Sequence, residues 1–128
     1  MISRRTLLAS LAVAGFAAPA LATERIDYSP AAFDAALHSG KPILVWIHAS
    51  WCPTCKAQAP TLAKLEAEPR YKDLTVVRVD FDSQKDAVKR FGARMQSTLI
   101  TFKAGKETGR SVGETDPTAL AALVAKAI

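Results

Sequence analysis

The segment that most constrains this chain is Pro42-Ile43-Leu44-Val45-Trp46-Ile47-His48, followed after three residues by Cys52-Pro53-Thr54-Cys55. An unbroken apolar run of this length reads as a strand buried on both faces, which requires a sheet covered by helices on each side. Ala49-Ser50-Trp51 then makes a brief turn, and a helix is expected from Cys52 to Glu68, with Leu62 and Leu65 inward and Pro60 inside it as a source of a kink. Cys52 therefore falls at a helix N-terminus, where backbone N–H groups and the helix dipole stabilise a thiolate. Cys55, one turn on, shares its face and closes a small disulfide ring.

Those two are the only cysteines in 128 residues. They cannot build a multi-disulfide scaffold, nor fill a four-ligand zinc site alone. The chemistry this spacing serves is thiol–disulfide exchange through a mixed disulfide, with Cys52 as a solvent-reachable nucleophile and Cys55 resolving the intermediate. Trp51 reads as an apolar cover that meets a partner, and Lys56 as a solvated charge. Pro53 and Thr54 tune the site: proline removes an N–H near Cys52, and threonine offers a hydroxyl. Two other readings stay open. The pair is an inert structural disulfide, or it is half of a metal site completed by His48, holding copper, zinc or an iron–sulfur cluster.

Residues 1–22 form a separate unit. Arg4 and Arg5 give a positive start, Thr6 to Ala18 an apolar stretch too short to span a bilayer, and Ala20-Leu21-Ala22 a small-x-small cleavage site. This is the pattern of a cleaved bacterial secretory signal peptide, and Ser3-Arg4-Arg5-Thr6-Leu7-Leu8 resembles a twin-arginine export signal. The expected products are a single mature domain, 23–128, and a periplasmic or otherwise exported location without stable membrane insertion. In such a compartment disulfides persist. Removing residues 1–22 takes away two arginines and no acid, so the formal charge drops from +5 to +3. The densest basic group, Lys85, Lys89, Arg90 and Arg94, is interrupted by Asp86 and reads as a solvated helix face, which argues against nucleic acid.

The remaining punctuation gives the order αβαβαββα. Ser29-Pro30 caps a helix over Ala31–His38 that Gly40 stops, with His38 capping carbonyls. Leu74–Phe81 is a second central strand, and Ser83–Phe91 a helix ended by Gly92. Leu99–Phe102 and Glu107–Val112 flank a Lys103–Lys106 hairpin turn. Asp116-Pro117 opens a last helix with Leu120, Leu123, Val124 and Ala127 on one stripe. The fold class is α/β, a central mixed sheet with helices on both faces.

With these residues in place the chain resembles the thioredoxin family along nearly all of its mature length. The resemblance rests on Trp51-Cys52-Pro53-Thr54-Cys55-Lys56, Pro60, Phe91-Gly92, Thr98-Leu99-Ile100-Thr101-Phe102-Lys103-Ala104-Gly105, and Gly113. It implies a thioredoxin-like fold, a dithiol–disulfide oxidoreductase acting on protein thiols and disulfides, no cofactor, and a substrate-facing loop at Gln96, Ser97 and Thr98. It does not fix the direction of electron flow; a reductant outside the cytoplasm needs a membrane electron donor. Three departures stand out. Ser97 replaces the family's cis-proline, and a cis peptide before a non-proline residue costs about 2.5–4 kcal/mol. Trp46 stands where the family has a buried aspartate that takes a proton from the resolving thiol. His48 stands where a tryptophan is usual; it reads as a strand-end histidine satisfied by local hydrogen bonds, as a group that tunes Cys52, or as a third metal ligand.

Overall fold

The structure is a computed structural model and describes residues 23–128 together with Ala12, Ala14 and Gly15. The expected signal peptide and its cleavage site thus lie outside the described residues, apart from those three positions. Five strands form one mixed sheet in the order β1-β3-β2-β4-β5. They are β1 (Glu24–Asp27), β2 (Ile43–His48), β3 (Thr75–Asp80), β4 (Thr98–Lys103) and β5 (Lys106–Val112). β3 pairs in parallel with β1 and β2, while β4 runs antiparallel to β2 and β5. The helices are α1 (Pro30–Ser39), α2 (Pro53–Glu66), α3 (Lys85–Arg90) and α4 (Pro117–Ala125).

Side chains alternate across β2, which gives the sheet two cores. Ile43, Val45 and Ile47 face α1 and α3 with Phe33, Ala87, Val88 and Phe91. Leu44 and Trp46 face α2 and α4 with Leu62, Leu65, Leu120, Leu123 and Val124. His48 follows Trp46 at the same period, so both lie on the face covered by the cysteine-bearing helix. The expected mixed sheet with helices on both faces is the observed one.

Local chemistry sets the boundaries. The Ser29 hydroxyl accepts from the Ala32 N–H at 3.1 Å, Pro30 begins α1, and Gly40 ends it at φ +71°. At its last turn the His38 ring meets the Asp34 carbonyl at 2.7 Å. In the β4–β5 turn both Ala104 and Gly105 have positive φ, the geometry that matches strand twist in a two-residue hairpin. α4 lies directly on the β5 backbone, since a Cβ at Gly109 would come within 2.9 Å of Leu123 Cδ1.

Element ends shift by a residue or so from the sequence expectation, and three differences have a clear physical cause. β1 was not expected, because three of its four residues are charged; it is a short edge strand held by its ladder to β3 and by the Arg25–Glu66 ion pair. α2 stops at Glu66 rather than Glu68, because the residue before Pro69 is pushed out of the helical region, and Pro69–Tyr71 forms a separate 3₁₀ turn. α3 begins two residues late, because Ser83 and Gln84 spend their side chains on Asp80 in the preceding turn. Among the described residues no helix is long and apolar enough to cross a membrane.

Candidate functional site

Cys52 and Cys55 are joined in a disulfide. Cys52 is the N-cap of α2, and its Sγ accepts the Cys55 N–H at 3.1 Å. Pro53, at the first helical position, lacks an N–H that would have had no helical partner anyway. The Thr54 hydroxyl makes no hydrogen bond to sulfur among the described residues; the donor is the Cys55 backbone. In the reduced protein this N–H and the N-terminal dipole of a 14-residue helix would favour charge on Cys52.

One expectation is corrected here. Cys52 is 0% exposed, whereas Cys55 keeps 4%. Cys52 belongs to the buried cluster between α2 and the sheet, with Trp46, Ala49 and Leu62, and in the oxidised form it does not reach solvent. Cys55, Lys56 and Ala59 instead border a shallow recess of about 180 Å³ with Trp46, His48 and Ala49. Trp51 is the exposed member of the motif, at 53%, and its indole N–H donates to Asp82 Oδ2 at 2.6 Å. Pro53 and Lys56 are exposed and Thr54 is half-buried.

The loop before β4 approaches the same helix. Every peptide bond among the described residues is trans, the one before Ser97 included. Ser97 is buried and lies in the left-handed region at φ +59°, rare for a residue with a side chain. Its hydroxyl donates to the Gln96 carbonyl at 2.5 Å, and the Thr98 hydroxyl donates to the Met95 carbonyl at 2.7 Å. Gln96 is half-buried and Met95 exposed.

Sequence reasoning missed Gln58. This residue is 0% exposed and sits on α2 among the inward positions 58, 62 and 65. Trp46, at the position of the family's aspartate, donates its indole N–H to Gln58 Oε1 at 3.0 Å. The Gln58 amide donates to the carbonyls of Ser97 at 3.2 Å and Glu114 at 2.8 Å. The available signal was a glutamine at the i, i+4, i+7 spacing of an otherwise apolar stripe.

His48 does not have the local hydrogen bonds expected of a strand-end histidine: its Nδ1 is buried and unpartnered. Its ring packs edge-on against Trp46 at 5.1 Å. Burial pushes its pKa below the ordinary value and the positive Arg78 adds to this, while Asp80 and Asp27 oppose them. A histidine lowered in the folded state resists a proton that the unfolded chain accepts near pH 6.5. Stability should therefore decline as pH falls through that value. Urea midpoints at pH 7.5 and 5.5 measure it, and His48→Asn should have the shallower dependence; equal slopes would contradict this.

The metal reading is not supported. Both sulfurs are committed to each other, and among the described residues no group of three or more His, Cys, Asp or Glu is placed to hold a metal ion. The set Cys52, Cys55 and His48 is not assembled as ligands.

Comparisons with known proteins agree with this geometry. A family profile described as Thioredoxin matches residues 24–126. Thioredoxin of Chlamydia muridarum is 40% identical over 84 residues, covering 66% of this chain and 80% of that protein. Protein disulfide-isomerase erp38 of Neurospora crassa is 40% identical over 105 residues, which is 79% of this chain and 28% of that protein. The crystal structure of Trxlp from Edwardsiella tarda EIB202 superposes with a TM-score of 0.77 at 46% identity, covering 79% of this chain and 98% of that one. A cysteine pair at the mouth of a helix, carried on this sheet order and matched by the family profile over residues 24–126, places the chain in the thioredoxin family, as a thiol–disulfide oxidoreductase with a Cys-x-x-Cys disulfide.

Proposed function

We propose that the protein works outside the cytoplasm on disulfides and thiols of other proteins, with Cys52 as nucleophile and Cys55 as resolving cysteine. The observation that carries the assignment of roles is the Cys55 N–H held on Cys52 Sγ at the N-cap of α2. In the reducing direction the Cys52 thiolate attacks one sulfur of a substrate disulfide. The substrate S–S bond breaks, its other sulfur leaves as a thiolate, and a mixed disulfide forms. Cys55 then loses its proton and attacks Cys52 Sγ. The second substrate thiolate departs and the Cys52–Cys55 bond closes, so two electrons have passed to the substrate. The same steps reversed oxidise a dithiol.

Among the described residues that line the recess at Cys55 there is no carboxylate, and Trp46 stands on β2 where the family has its aspartate. Solvent water, the neutral His48 ring that borders the recess, or Cys52 itself takes the Cys55 proton. The exposed Trp51 supports a protein substrate, since a large rigid apolar surface beside the cysteines suits an incoming chain. The name of the Neurospora relative, a protein disulfide-isomerase, supports the same class. As an exported reductant it would be recharged by a membrane electron donor.

Export rests on residues 1–22 and has its own test. Expressed in a bacterium, the protein should appear in the periplasmic fraction as a chain starting at Thr23, read by intact mass. A cytosolic product that keeps its N-terminus would overturn export and leave the redox roles standing.

A further inference from the structure

We propose that Gln58 is a positioning residue, setting the substrate-facing loop at Gln96–Thr98 against the cysteine helix in place of a conformationally locked residue within the loop. The inference rests on the proposed action on protein substrates. Ser97 has a left-handed backbone, which a residue with a Cβ keeps only when its surroundings over-determine it. Its carbonyl receives two donors, the Gly113 N–H at 3.0 Å and the Gln58 side-chain amide at 3.2 Å. The second of these comes from α2, one turn past Cys55, so it ties loop and disulfide into one frame.

Both amide hydrogens of Gln58 are used, on Ser97 and on Glu114, and its oxygen takes the Trp46 indole. One uncharged side chain thus joins β2, the loop before β4 and the segment before α4. The polarity is specific. Two carbonyls require a donor pair and an indole requires an acceptor, a pattern an amide meets and a carboxylate does not. Glutamate at this position would set its oxygen against the Ser97 and Glu114 carbonyls. Protonation would restore one donor, so the defect should relax at low pH. Loss of packing alone would have no such pH dependence.

The test uses Gln58→Glu and Gln58→Leu in the purified protein, with hydrogen exchange of the oxidised form and kinetics of insulin reduction. Amide exchange in 95–99 should rise about tenfold over wild type, the scale of one lost hydrogen bond, with β2 and β3 unchanged. For insulin, KM should rise about tenfold with kcat within twofold, and for Gln58→Glu the gap should narrow between pH 8 and pH 5. Unchanged exchange in the loop, or a rise spread over the whole sheet, overturns the positioning role. A loosened loop with unaltered KM overturns its link to substrate. If wild type itself does not reduce insulin, the proposed function fails, while the exchange arm still decides what Gln58 holds.

Discussion

Replacing Cys52 with serine should abolish catalysed reduction of insulin disulfides, a loss of roughly a thousandfold or more, on the scale seen when a nucleophile is removed. Cys55→Ser should fail differently. With Cys52 intact and no resolving thiol, the mixed disulfide has no internal route out, and the protein should accumulate as a covalent adduct on a non-reducing gel. The structure gives this pair of variants a sharp alternative outcome. In the oxidised form Cys52 is the fully covered residue and Cys55 the one at the recess. If Cys55→Ser were the inactive variant and Cys52→Ser the one that trapped substrate, the recess would be the point of attack and the roles would be reversed. The N-cap hydrogen bond predicts the first pattern, because the N–H of residue 55 favours charge on the sulfur of residue 52.

The second large effect concerns the platform beneath the cysteines. Leu62 is 0% exposed on the inner face of α2, in the core shared with Leu44, Trp46, Leu120 and Val124. Leu62→Ala keeps helix propensity and removes packing, so it should destabilise the protein by about 2–5 kcal/mol. For a domain of this size each kcal/mol lowers Tm by roughly 4 °C or more, so a fall of about 8 °C or greater is expected by calorimetry. A change of less than about 1 kcal/mol would mean that α2 does not rest on this core as described.

The parts of the fold that could be read from the sequence are those whose signals are local. The β2 run, the Ser29-Pro30 and Asp116-Pro117 caps, and the glycine at 40 each specify a conformation through their own residues. β1 could not be read this way, since Glu24-Arg25-Ile26-Asp27 becomes a strand only because β3 offers an open edge. The cysteine site divides along the same line. Its spacing and its helix N-terminus are local and were legible. The burial of Cys52, the Trp46–Gln58 hydrogen bond and the Gln58–Ser97 contact join residues 12 and 39 positions apart, and only the folded sheet brings them together. Even so, the apolar stripe of α2 contained a warning, because a glutamine on such a face needs partners from somewhere. His48 illustrates a different limit. Its place on the strand was evident, but its unpartnered Nδ1 depends on what β3 and α2 fail to offer it.

The central claim is that Cys52 and Cys55 cycle between dithiol and disulfide rather than remaining a fixed crosslink. The equilibrium reduction potential of the pair tests this most directly, measured against defined ratios of reduced and oxidised dithiothreitol or glutathione. A redox-active pair should fall within the span of working oxidoreductases, about −120 to −270 mV. A value below roughly −300 mV, where structural disulfides lie, would contradict the account.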